Sequence, residues 1–93
     1  MSRDLVHVGF GSFIELDKVV AIVTPGSAPI QRLIRDRKRV NAVSDRTGEP
    51  RRRAKAVVVT DDQSLVLVAI TPEALAGRVT AARAGRVAQA QAD

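Results

Sequence analysis

The sequence predicts a small α+β domain, built from a mostly antiparallel sheet and two short helices. Its 93 residues suffice for one domain with a single hydrophobic core. Two proline-containing segments, which begin at Ser27 and Thr71, have the apolar spacing of amphipathic helices. Several short aliphatic runs bounded by turn residues are typical of strands; the longest are residues 19–23, 56–59 and 65–70. Because only Phe10 and Phe13 are aromatic, the core must be aliphatic.

The first predicted elements are two short strands, residues 5–8 and 13–16, on either side of Gly9-Phe10-Gly11. Glycines that flank an aromatic residue are typical of a bulge or tight turn. We expect this turn to drive Phe10 into the core and Phe13 to be a core residue too. A phosphate-binding loop is disfavoured, because neither a third glycine nor a Lys-Ser/Thr pair follows.

Residues 19–23 form a continuous β-branched run, which predicts a strand covered on both faces. Ser27 then supplies a helix N-cap, with Pro29 in the first turn. The helix that follows has a narrow apolar stripe, formed by Ile30, Leu33 and Ile34. Arg32 and Arg35 lie largely off that stripe, so the helix can dock on a sheet and still present charge to a partner.

A turn-rich segment, residues 41–50, leads to Arg51-Arg52-Arg53, and residues 42–44 within it suit a short extended segment. The runs 56–59 and 65–70 then predict a hairpin. Thr71-Pro72-Glu73 starts the second helix with a hydroxyl cap, a proline and an acidic residue in the first turn. We interpret residues 1–83 as one domain and residues 84–93, rich in Ala, Gln and Arg, as a flexible tail.

The charge is concentrated in the middle of the chain. Fifteen Lys and Arg against ten Asp and Glu give a net charge of +5. Residues 32–55 alone hold ten basic and three acidic residues, a net charge of +7. Twelve of the fifteen basic residues are arginine, whose planar fork pairs with phosphate oxygens and guanine edges. A basic cluster can serve simply as a solvated face that keeps a small domain soluble. The density and the arginine content of this one favour nucleic-acid binding instead.

Composition excludes or disfavours other classes of protein. The chain has no cysteine and one histidine, His7, so thiol catalysis, disulfides and Cys-ligated metals are excluded, and a hydrolase triad would need that single imidazole. Asp61-Asp62 is a pair of turn-forming acids rather than a catalytic dyad. We expect no enzyme activity, metal, cofactor, small-molecule substrate or membrane span, and a cytoplasmic location.

The predicted strands are apolar on both faces, whereas each of the two helices has only a narrow apolar face to cover them. We therefore expect another copy of the chain to cover the remaining sheet surface. Copies joined head to tail would close into a ring or continue as a filament, and their basic loops would act together by avidity.

These segments resemble the RemA family, small bacterial regulators of extracellular-matrix (biofilm) genes. The similarity covers residues 6–79 and includes Val8-Gly9-Phe10-Gly11-Ser12 and Ser27-Ala28-Pro29-Ile30, among others. The resemblance implies a transcriptional activator at the nucleoid, with a fold similar to LytTR-type DNA-binding domains. It also implies a closed homo-oligomeric ring around which double-stranded DNA wraps.

The resemblance also indicates DNA-binding residues. The arginine pair of the family's DNA-binding loop looks like Arg52 and Arg53, with Arg51 as an additional arginine. Lys18 matches an early basic position where arginine is usual. Lysine keeps the charge without the fork, so this contact suits phosphate better than a base edge. With Arg32 and Arg35 of the first helix, these residues form the predicted DNA-binding set.

Two alternatives remain open. An RNA-binding or ribosome-associated protein would also be small and basic, but single-strand readers stack bases on aromatic side chains, and both phenylalanines are assigned to the core. A non-catalytic assembly scaffold would instead pair its basic loop with acidic partners.

Overall fold

A computed structural model of the chain describes residues 4–48 and 52–92, with side chains described up to residue 85. A single turn of 3-10 helix (Leu16–Lys18) lies between the second and third strands. The remaining elements, in order, are β1 (Leu5–Gly9), β2 (Ser12–Glu15), β3 (Val19–Val23), α1 (Ala28–Arg39), β4 (Val43–Arg46), β5 (Ala56–Thr60), β6 (Leu65–Val68) and α2 (Pro72–Ala92). The predicted α+β class with two helices is confirmed.

The strands form two sheets. β1 and β2 make an antiparallel hairpin, and the other four strands are ordered β3-β5-β6-β4. β5 pairs antiparallel with both β3 and β6, whereas β4 runs parallel to β6, so most of the pairing is antiparallel, as predicted. β6 ends two residues earlier than the predicted run 65–70. Ala56, the first residue of β5, pairs with Val68, so residues 69 and 70 have no partner on β5.

Both faces of the two central strands, β5 and β6, are covered within the chain. On one face, α2 and the β1–β2 hairpin pack on Ala56, Val58 and alternate residues of β6. On the other face, α1 packs through Ile34 on Val57, Leu65 and Leu67. The expectation that a second copy must cover these strands is therefore wrong for β5 and β6, because the hairpin adds cover that the helices alone lack. β3 differs, since its Val20 is 64% exposed.

The helices begin where the sequence predicts. The Ser27 hydroxyl accepts a hydrogen bond from the Ile30 amide at 3.4 Å, and the Thr71 hydroxyl accepts one from the Ala74 amide at 3.2 Å. α2 continues to Ala92 and so includes most of the Ala/Gln/Arg-rich segment. The division of the chain at residue 83 stays a prediction. In the part of the chain that the structure describes, no helix combines the length and hydropathy that crossing a bilayer requires.

The two phenylalanines are not core residues, which corrects the expectation from the sequence. Phe10 is 54% and Phe13 50% exposed. Gly9 pairs with Ser12, so Phe10 and Gly11 form a two-residue loop with φ of +52° and +73°, the signs of a type I′ turn. The Phe10 side chain thus projects from the tip of the hairpin. Phe13 follows strand alternation, because its neighbour Ile14 points into the core and Phe13 therefore points away.

Candidate nucleic-acid interface

The predicted arginine triplet lies in the segment between β4 and β5, which we call the arginine loop (residues 47–55). Both of its ends are anchored. At the start, the Asp45 carboxylate accepts hydrogen bonds from the Thr47 amide at 3.1 Å and the Thr47 hydroxyl at 2.6 Å, and Thr47 is buried. At the end, the Lys55 amide donates to the Val68 carbonyl at 2.8 Å. The loop is therefore held to the sheet before any ligand arrives.

The Phe10 ring contacts the arginine loop at two points. The Arg52 guanidinium carbon lies over the ring, 5.2 Å from its centroid, within the range of a cation–π interaction. Gly48 has a φ of +106°, and a Cβ placed on it would lie 3.0 Å from each of three ring carbons. A point equidistant from three atoms of one ring lies on the ring axis, so Gly48 faces the centre of the Phe10 ring.

Arg46 connects the hairpin that carries Phe10 to the four-stranded sheet. Its Nη1 donates to the Phe13 carbonyl at 3.1 Å, and its Nε donates to the Ser44 hydroxyl at 3.1 Å. Because Arg46 ends β4 immediately before the arginine loop, its bond to Phe13 joins the hairpin to the strand that leads into the loop, and its bond to Ser44 holds the side chain along that strand. Arg46 therefore has a structural role, unlike the exposed Arg52.

Arg53 lies beside a surface cavity of about 480 Å³. α1 contributes Gln31, Ile34 and Lys38 to its lining, so Arg53 and Lys38 bring two cations from different elements to one cavity. None of the described residues that line this cavity is acidic. The Gln31 side-chain amide donates to the Pro25 carbonyl and holds the start of α1 against the preceding turn. Two cations beside a concave surface can bind a phosphate group.

The structure places the other predicted residues in different positions. Arg32 and Arg35 are exposed on α1, one helical turn apart, and neither lines the Arg53 cavity. Lys18 lies at the opposite end of β5 from the arginine loop, since the following residue, Val19, pairs with Thr60. Arg51 lies outside the described residues.

Lys18 is next to the turn between β5 and β6. The Asp61 amide donates to the Lys18 carbonyl at 3.0 Å. In the same turn, hydrogen bonds from Thr60 and Ser64 hold the pKa of Asp62 below its usual value, and the charge of Lys18 adds to this effect. The Asp61-Asp62 pair therefore belongs to a hydrogen-bonded turn, in agreement with its interpretation as a turn former.

The sequence did not indicate two residues of this surface, Phe10 and Gly48, and Lys38, although it is one of the cations of the predicted helix, was left out of the predicted DNA-binding set. The two residues between Gly9 and Ser12 were a usable signal, because a loop of that length projects its side chains from a hairpin tip. The contact of Gly48 with Phe10 joins positions far apart in the chain, and no local pattern indicates it.

The model of one family, described as "RemA-like: Extracellular matrix regulatory protein A-like", matches residues 5–79, a span that includes every strand, α1 and the first turns of α2.

Three relatives from different bacteria illustrate the similarity. One from Dehalococcoides mccartyi is 40% identical over 87 residues, which cover 94% of this chain and 88% of the relative. One from Trichormus variabilis is 42% identical over 83 residues, 89% of this chain and 92% of the relative. One from Alkaliphilus metalliredigens is 37% identical over 93 residues, 100% of this chain and 98% of the relative. Their names all begin "Putative regulatory protein".

Proposed function

This chain belongs to the RemA-like family of regulatory proteins, and from that premise we propose that it is a non-catalytic transcriptional regulator that binds double-stranded DNA through its arginine loop. The observation that carries this proposal is the position of Arg52 and Arg53. Both are exposed, in a loop anchored at each end, within a segment of net charge +7. Because both ends of the loop are anchored, less backbone freedom is lost when Arg52 and Arg53 bind phosphate, which favours affinity.

The arrangement suits contacts with the DNA backbone. Arg53 and Lys38 border one cavity, and Arg32 and Arg35 project from the same helix as Lys38. Backbone contacts set the position of a protein on the duplex and carry little sequence information. A single copy offers few such contacts, so its binding would be weak and dependent on salt.

We infer that several copies bind together, as a ring. β3 and β4 are the two edges of the four-stranded sheet, and β3 carries the exposed Val20. Contacts that join two different surfaces head to tail generate a ring when the rotation closes. The ring would repeat the arginine loop along the DNA and add weak contacts by avidity. The family description supports extracellular-matrix genes as targets. A duplex DNA ligand would place the protein at the nucleoid, in the cytoplasm.

Two charge-matched double variants test DNA binding. Arg52→Ala/Arg53→Ala removes both described guanidinium groups of the loop, whereas Arg83→Ala/Arg86→Ala removes the same charge from α2. The affinity for duplex DNA is measured at several salt concentrations. The wild-type log–log slope should be steep, about −0.9 per neutralised phosphate, and the loop variant alone should lose affinity and flatten the slope. Equal losses in both variants would show that only net charge matters and would refute the loop assignment.

Light scattering tests the ring. The wild-type mass should be a fixed multiple of the chain mass, and the loop double variant should keep it. Val20→Asp places a charge on the exposed edge strand and should lower the mass. A wild-type protein that is monomeric at the concentrations used for DNA binding would refute the ring.

A second candidate function gains support from the exposed phenylalanines. Binding of single-stranded RNA was disfavoured by the sequence because both phenylalanines were assigned to the core, but Phe10 and Phe13 are each about half exposed. Exposed rings can stack on unpaired bases. Competition between single-stranded RNA and duplex DNA at equal salt distinguishes the two functions, and we expect the duplex to bind more tightly.

A further inference from the structure

Phe10 combines three features that a residue with no specific role would not need. It is a non-glycine residue in the left-handed region, with φ +52°, where side chains other than Asn and Asp are strained. It is 54% exposed at the tip of a hairpin, so packing in the core does not explain why an aromatic residue occupies this position. The same ring contacts both Gly48 and Arg52.

These two contacts lie on either side of the segment that contains Arg51. Gly48 precedes it and Arg52 follows it, so one ring joins two points of the arginine loop across the residues between them. The hairpin cannot swing freely, because Arg46 donates to the Phe13 carbonyl and the Arg78 Nη1 donates to the His7 carbonyl at 2.7 Å. The position of the ring is therefore set from the body of the protein.

We propose that Phe10 is a positioning residue: its ring, which contacts Gly48, holds the Arg52 guanidinium and presents it to a DNA phosphate. This inference rests on the proposed function and extends it. The N–H groups of a guanidinium point outward in its own plane. A guanidinium whose face lies against an aromatic ring can therefore still donate them to phosphate oxygens. The ring thus restricts a side chain that would otherwise lose much rotamer freedom on binding.

The test separates the role of the ring from its effect on folding. Phe10→Asn removes the ring, and Asn followed by Gly is the preferred pair for a type I′ turn, so the hairpin should remain stable. Phe10→Tyr keeps an aromatic face. Phe13→Asn is the matched control, because Phe13 is about equally exposed on the same hairpin and its ring lies 5.0 Å from that of His7, whereas the Phe10 ring lies under the Arg52 guanidinium. The thermal midpoint of each variant is recorded with its affinity for duplex DNA.

We expect Phe10→Asn to weaken duplex binding by about two- to five-fold per subunit, the range for an exposed cation–π contact. Phe10→Tyr should restore wild-type binding, and Phe13→Asn should retain it. In an Arg52→Ala background, Phe10→Asn should cause little further loss, since both changes remove the same contact. Such coupling would not arise if the ring only supported the fold.

The outcomes distinguish the two levels of the proposal. A wild-type protein that does not bind duplex DNA would overturn the proposed function and this inference with it. Duplex binding with equal losses in Phe10→Asn and Phe13→Asn would overturn only the role of Phe10. Independent, additive losses from Phe10→Asn and Arg52→Ala would also overturn it. So would a wild-type protein that binds single strands more tightly than duplex DNA and loses this preference in Phe10→Asn.

Discussion

Substituting Gly48 by alanine is the most direct test of the contact between the hairpin and the arginine loop. Two costs act at this position. The backbone has a φ of +106°, which L-residues rarely adopt and which costs about 1–3 kcal/mol. The new Cβ would also lie 3.0 Å from three carbons of the Phe10 ring, closer than ordinary van der Waals contact, so the ring must move. Together we expect a loss of about 2–4 kcal/mol.

Two further glycines serve as controls. Gly11 has a φ of +73° with open space around its Cβ position, so Gly11→Ala has the backbone cost without the ring contact, about 1–2 kcal/mol. Gly77 lies within α2, also with open space, and Gly77→Ala should stabilise the protein by about 0.5–1 kcal/mol. All three substitutions restrict the unfolded chain equally, so their differences report on the folded protein.

Thermal unfolding is the assay, at one fixed protein concentration, because any self-association makes the midpoint depend on concentration. For a domain of this length, 1 kcal/mol shifts the midpoint by about 4–8 °C. Gly48→Ala should therefore unfold well below Gly11→Ala. Adding Phe10→Asn to Gly48→Ala should cost less than the sum of the separate effects. Equal midpoints for Gly48→Ala and Gly11→Ala would refute the ring contact.

Three further predictions concern the fold. Leu75→Ala should destabilise the protein by about 2–5 kcal/mol in urea unfolding, because Leu75 is a fully buried residue of α2; a smaller loss would contradict its place in the core. Ser27→Ala should cost about 1 kcal/mol through the lost N-cap of α1, whereas Ser27→Asp should be nearly neutral. The hydrogen bonds that lower the pKa of Asp62 stabilise the fold at pH values above 3.8, the usual pKa of this carboxyl. This contribution is lost as the pH falls through the folded-state pKa. The thermal midpoint of Asp62→Asn should accordingly fall less than that of the wild type on acidification.

Most secondary structure could be predicted because local chemistry determines it. The β-branched run 19–23 is β3, and the caps at Ser27 and Thr71 begin α1 and α2. The hairpin of β5 and β6 follows from two aliphatic runs and a polar turn. The parallel pairing of β4 with β6 was not predicted, because it joins strands separated by β5 in the chain.

The candidate site was predicted in part. Arg52 and Arg53 lie in one exposed loop, and α1 contributes Lys38 to the cavity beside Arg53. Lys18, by contrast, lies at the other end of β5, so the structure does not bring the predicted cations together within one chain. Charge density along a sequence indicates that a polyanion is a suitable partner, but strand pairing decides which charges are neighbours.

The amino-acid sequence by itself determined the class of the fold, the helix starts, the concentration of arginine and the resemblance to a regulatory family. These depend on residue type and short spacing, which act within a few residues of the chain. Only the tertiary structure decided that β1 and β2 cover one sheet face and that the Phe10 ring contacts both Gly48 and Arg52. Those features depend on contacts between residues about 40 or more positions apart, which form only when the sheet assembles and brings the hairpin tip to the loop.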